Sequence, residues 1–167
     1  VVDALIQASG DADPVLVSAA AAALGATDTP AAASRLARLA EHADARVRAN
    51  AIEALAVGAD PTVALVRTGA LDPVGRPRAN AIAALLRRSR GEGVEQLRKM
   101  LSDPRAEHRL SGLWVARRHR VDELAEAIRG LSNNDPEPRL AARAAAVATL
   151  FDETQVPAPR RNIEAAA

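Results

Sequence analysis

The chain has 167 residues, enough for one domain with a continuous core. Hydrophobic residues make up 49% but aromatics only 1%, and cysteine is absent, which excludes disulfides, thiolate zinc sites and cysteine nucleophiles together. Net charge is +1, and no run approaches the roughly 18 uncharged apolar residues that would span a membrane.

With so few aromatics, the core must be built from Ala, Leu, Val and Ile. Ala has the best helix propensity, and the residues that favour strands are scarce, so the chain reads as all-α. In order, a second-type helix is predicted over Val1–Ser9. Helix pairs follow: Pro14–Leu24 with Pro30–His42, then Ala45–Val57 with Pro61–Thr68. Arg76–Ser89 pairs with Gly93–Leu101, and Pro104–His119 with Asp122–Gly130. A last first-type helix covers Pro136–Phe151. Tight turns join the pairs, as at Gly25 to Thr29 and Gly58 to Asp60. Residues 1–151 form the repeat domain, and 152–167, with Pro157 and Pro159, a tail or cap. The start at Val1, without Met, reads as cut from something longer or processed.

Asp-Pro recurs at 13–14, 60–61, 72–73, 103–104 and 135–136. Asp accepts the free N–H groups of a helix start, and Pro fits the first helical position. Most of these dipeptides are therefore predicted as helix starts.

The chain repeats. Arg48-Ala49-Asn50-Ala51-Ile52 returns as Arg78-Ala79-Asn80-Ala81-Ile82, and more loosely from Arg109 and Arg139. The anchors fall at 17, 48, 78, 109 and 139, in steps of 31, 30, 31 and 30. Leu5, Leu36, Val66, Leu97 and Ile128 mark a second stripe in step, each with a partner three residues on. A fixed period of this size signals a solenoid.

Asp-x-x-Val-Arg-x-x-Ala-x-x-Ala-Leu, as in Asp44 through Leu55, resembles the first helix of a HEAT repeat. The period near 31 is similar to the short bacterial HEAT-like form, of the PBS-lyase type. The resemblance covers about residues 1–151. It implies an α-α superhelix of about five helix pairs, right-handed, with first helices convex and second helices concave. It also implies partners held on the concave face. Val17 departs from the anchor Arg, and Pro77, His108 and Pro138 stand where Val47 stands.

Arg48, Arg78, Arg109 and Arg139 read as a structural ladder, because every repeat has the same packing problem. Trp114, the only Trp, shares its phase with Ala22, Glu53, Ala83 and Ala144 and is predicted partly exposed. An aromatic there is a binding candidate. Residues 84–120 carry an excess of six positive charges. Arg87, Arg88 and Arg90 close one first helix, and Arg117, Arg118 and Arg120 the next, so stacking would set the clusters side by side. They read as a rim matched to the helix dipole or as an edge for an acidic partner or phosphate. The concave face is expected to carry Arg35, Arg38, Arg67, Gln96, Arg98, Lys99, Glu126 and Arg129.

His42, His108 and His119 show no ligand spacing, so no metal or cofactor is expected. The dipeptides Glu41-His42 and Glu107-His108 reverse the order found in diiron HEAT-repeat hydroxylases. Gly91-Glu92-Gly93 is an inter-helix turn and not a phosphate loop. The reading is a non-catalytic, cytoplasmic scaffold or regulatory module of a larger bacterial protein, binding an acidic protein. Arg87, Arg88, Arg117, Arg118, Arg67, Arg98, Lys99 and Trp114 are its candidate contacts. Nucleic-acid binding, as in HEAT-like DNA glycosylases, is the first alternative. It is weakened by near-neutral charge and missing aromatics. An accessory role resembling HEAT-like bilin lyases is the second; against it stands the lack of Cys and Tyr.

Overall fold

A computed structural model describes residues 1–56 and 63–155. These form ten α-helices, with no strand among the described residues. The helices are α1 (Val2–Ala8), α2 (Pro14–Leu24), α3 (Pro30–Leu39), α4 (Ala45–Leu55) and α5 (Val63–Gly69). They continue as α6 (Gly75–Arg88), α7 (Arg90–Leu101), α8 (Ala106–His119), α9 (Ala125–Asn134) and α10 (Pro138–Gln155). A 3-10 turn, Asp122–Leu124, leads into α9. The turn expected at Gly58 to Asp60 and the start expected at Asp60-Pro61 lie outside the described residues.

The first helices α2, α4, α6, α8 and α10 form one row, each packed on the helix before and after it. The second helices lie behind them, with α1 on α3 and α7 on α9. This is an all-α solenoid. Its core follows both predicted stripes. Leu36, Val66, Leu97 and Ile128 are buried in the second row. Ile52, Ile82 and Leu113 are buried in the first, whereas at the same phase in α10 Arg143 is exposed and Ala144 beside it is buried instead. Leu5 is only half-buried, having no preceding repeat to cover it among the described residues. Small residues allow close approach between the rows. At Gly93 a Cβ would meet the Leu86 backbone nitrogen at 2.5 Å, so α7 crosses α6 at a distance only glycine permits.

Besides Gly91-Glu92-Gly93, expected as an inter-helix turn but lying inside α7, two expectations change. Asp13-Pro14 does cap and start a helix, as Thr29-Pro30 does. Asp72-Pro73, Asp103-Pro104 and Asp135-Pro136 do not: α6, α8 and α10 begin two or three residues later. There the aspartate Oδ1 accepts the N–H two residues on, from Val74, Arg105 and Glu137. The proline lies in the turn, where its missing N–H costs nothing. The second change is at the tail, because α10 continues past Phe151 to Gln155. Residues 156–167, the rest of the expected tail or cap, lie outside the described residues.

Candidate functional site

The most regular charges tie repeat to repeat. Arg48 donates to both carboxylate oxygens of Asp72 at 2.7 and 3.0 Å. Arg109 does the same to Asp135 at 2.7 and 2.8 Å. Each arginine also donates to two carbonyls at the start of its own helix: His42 and Ala43 for Arg48, Asp103 and Pro104 for Arg109. One guanidinium thus fastens its own turn to the turn opening the next repeat. The aspartate is satisfied twice, by that arginine and by the backbone N–H of its own turn. Arg78 meets Asp103 through one nitrogen, at 2.8 Å, because Arg105 occupies the other side of that carboxylate. Buried His108 completes this cluster, its Nδ1 lying 3.5 Å from Asp103.

Arg139 does not join. It is exposed, no carboxylate meets it among the described residues, and its neighbour Leu140 takes the buried place. At the other end, Val17 stands at the anchor and His42 where Asp72 and Asp103 stand. Both halves of the ion pair are replaced together. His42 keeps the turn, its Nδ1 accepting the Asp44 N–H at 3.0 Å. Val17 is buried in the apolar core.

These carboxylates set an acid limit on stability. Bonding to Arg105, then to Arg78, holds Asp103 well below the usual carboxylate range, and Arg109 lowers Asp135. Their folded values lie below the unfolded ones, so their stabilisation is complete above the unfolded value. It is lost as pH falls through the folded one. Urea midpoints should therefore fall steeply below about pH 4. Replacing Asp103 and Asp135 by Asn should flatten that acid limb and lower the neutral plateau.

The second-helix surface is half neutralised by its own acids. Arg67 pairs with Glu92 at 2.8 Å, Lys99 with Glu95 at 3.4 Å, and Arg129 with Asp152 at 2.7 Å. Arg35 donates to Ser9. Of the cations named for this surface, Arg38 and Arg98 are exposed with no carboxylate against them among the described residues.

The first-helix side differs. Arg90, expected to close a first helix, instead opens α7, where it pairs with Glu123 at 2.7 Å and donates to the Arg120 carbonyl. Arg88 is half-buried. Arg87, Arg117 and Arg118 are exposed and meet no carboxylate among the described residues. The two clusters adjoin: burial first, then the charges of Arg87, Arg118 and Arg90, lower the pKa of His119. Trp114 is 46% exposed, with the Arg118 guanidinium 5.8 Å from its ring centroid. One turn back, Leu110 is 45% exposed.

Beside Trp114 runs a groove of about 470 Å³. Glu53 of α4 lines one end, Arg76, Ala79 and Asn80 of α6 the floor, Leu110, Ser111 and Trp114 of α8 a wall, and Arg143 of α10 the far side. Asn80 is fixed there by donating to the Ala49 carbonyl at 3.0 Å and to Glu53 at 3.3 Å. Asn50 makes the matching tie to Ser18 one repeat earlier, and Arg76 donates to Asn50. Sequence reading missed the groove and this second ladder. The signal was present in the repeated Arg-Ala-Asn triplet, whose Asn shares its helix face with Glu53 and Trp114.

Residues 1–56 match a family model described as HEAT repeats. The structure carries the same paired-helix unit onward through α10. The first third of the chain is thus similar to HEAT repeats, and the helix pairs after it continue the same all-α solenoid. HEAT repeats generally mediate protein–protein interaction. No curated protein matches the chain. Among the described residues of this HEAT-like chain, no helix is long and apolar enough to cross a membrane.

Proposed function

We propose that this HEAT-like chain is a non-catalytic binding module of a larger bacterial protein, acting in the cytoplasm on an acidic protein partner. The observation that carries this reading is the contrast between its two faces. Three of the six cations named for the second helices, Arg67, Lys99 and Arg129, have carboxylates of their own. Arg87, Arg117 and Arg118 do not, and they lie along the edge that bears Trp114. Charge-depleted cores with aromatic anchors and a polar rim are the usual anatomy of a protein interface. Trp and Arg dominate the binding energy of such interfaces.

The test is a binding isotherm with partners captured from the source cell. Trp114→Ala should weaken binding by more than about 1 kcal/mol without moving the melting temperature. Neutralising Arg87, Arg117 and Arg118 together should chiefly slow association and reduce its salt dependence. The positive excess of residues 84–120 favours nucleic acid as a second reading, but Arg90, Arg105 and Arg109 of that stretch are paired with acids. A phosphate-driven site would lose about 0.9 decades of affinity per decade of salt for each phosphate neutralised. Duplex DNA binding in physiological salt, indifferent to Trp114 and abolished by the Arg changes, would replace the protein-partner reading.

A further inference from the structure

The groove beside Trp114 has a composition that selects its occupant. At the phase of Trp114 the other first helices carry Ala22, Glu53, Ala83 and Ala144. One turn earlier, Leu110 stands where α6 has Ala79. Helix α8 therefore rises above α6, and the hollow over Ala79 is walled by an exposed indole and an exposed leucine. Both side chains stand half exposed one helical turn apart, an apolar contact open to a partner. The floor is held by the Asn80 bonds to the preceding helix, so the hollow is pre-formed and need not be ordered on binding.

Charge selects further. Arg76 and Arg143 line the groove and Arg118 lies over the indole. Among its described lining residues Glu53 is the one acid, and it already accepts from Asn80. Arg143 is exposed and meets no carboxylate among the described residues. Three cations around the apolar patch of Ala79, Leu110 and Trp114 fit carboxylates flanking an apolar side chain. A single indole gives stacking for one base only, so the hollow is poorly suited to a strand of nucleic acid.

We infer that this groove binds a short linear segment of the acidic partner. One large apolar side chain sits over Ala79 against Leu110 and Trp114, and neighbouring carboxylates meet Arg143 and Arg76. This rests on the acidic-partner reading above and assigns the place and form of the contact. It puts the recognition surface on the first-helix row, opposite the face that the family resemblance implied.

Trp114 is the only Trp and there is no Tyr, so intrinsic fluorescence reports the groove directly. The full chain is titrated with three synthetic peptides of matched length. One is Glu- and Asp-rich with a central Leu, one has Ala in place of that Leu, and one has Lys in place of the acids. The Leu peptide should shift Trp114 emission saturably. The Ala peptide should bind at least tenfold more weakly and the Lys peptide not at all. Arg143→Ala should weaken the Leu peptide about fivefold with no change in melting temperature, and Arg98→Ala on the other face should leave it unchanged. Equal binding of Leu and Ala peptides, or indifference to Arg143, would overturn the groove assignment while leaving an acidic partner in place. No binding of either acidic peptide at low salt, with none to a folded acidic protein, would overturn both. Tight binding of single-stranded DNA with the same emission shift would do so too.

Discussion

Arg109→Ala is expected to destabilise the fold by about 3 kcal/mol, the lower end of the range for breaking a buried ion pair. The guanidinium side chain is 9% exposed and that of Asp135 is 1% exposed. Removing the arginine leaves Asp135 with its turn N–H but no cation, and strips two carbonyls of their donor. The lower end applies because water can reach part of the vacated site. Chemical denaturation of the variant measures the loss. Arg109→Lys should recover only part of it, because an ammonium cannot span both carboxylate oxygens and two carbonyls in one plane. A loss within 0.5 kcal/mol would show that the ladder is ornamental to stability.

Leu97→Ala should cost about 2–5 kcal/mol. Its side chain is fully buried in α7, among the residues that join the α6, α7 and α8 cores. The surroundings cannot collapse easily, since α6 and α7 already touch backbone to backbone at Gly93. In a solenoid each repeat is held mainly by its neighbours. The defect should therefore broaden the unfolding transition as well as shift it. A sharp transition with an unchanged midpoint would contradict the buried stripe.

The period and the two apolar stripes were legible in the sequence because each repeat must bury the same faces against the same neighbours. Helix ends were less so. Asp-Pro serves as cap and first residue at Asp13-Pro14, yet as a turn two residues further out at Asp103-Pro104. The letters do not distinguish the two, because Pro is tolerated in both. The partial exposure of Trp114 followed from its phase. The groove beside it did not, since it arises from differences in side-chain size between successive helices. The pairing of Arg67 and Arg129 was hidden as well. The acids of Arg67 and Arg129 lie on other helices and become neighbours only when the helices stack, whereas Glu95 stands one turn before Lys99 on α7 itself. Arg139 shows the limit of the repeat argument: the same letter recurs, but the aspartate and the register that give it meaning do not.

The hand-over from arginine to aspartate has a consequence for how such a chain changes length. Asp72-Pro73 and Asp103-Pro104 are the same dipeptide at the same junction, and each aspartate receives an arginine from the unit before it. Excising residues 73–103 would rejoin Asp72 to Pro104 and restore that junction letter for letter. Arg48 would keep its carboxylate, and α8 would come next after α4 in the row of first helices. A gene carrying this device tolerates gain or loss of a whole unit better than the replacement of one residue within it. Its natural step of variation is a recombination event and not a point mutation. The exception is the Val17 and His42 step, where the fastening has been exchanged for an apolar contact and a cut would leave mismatched halves.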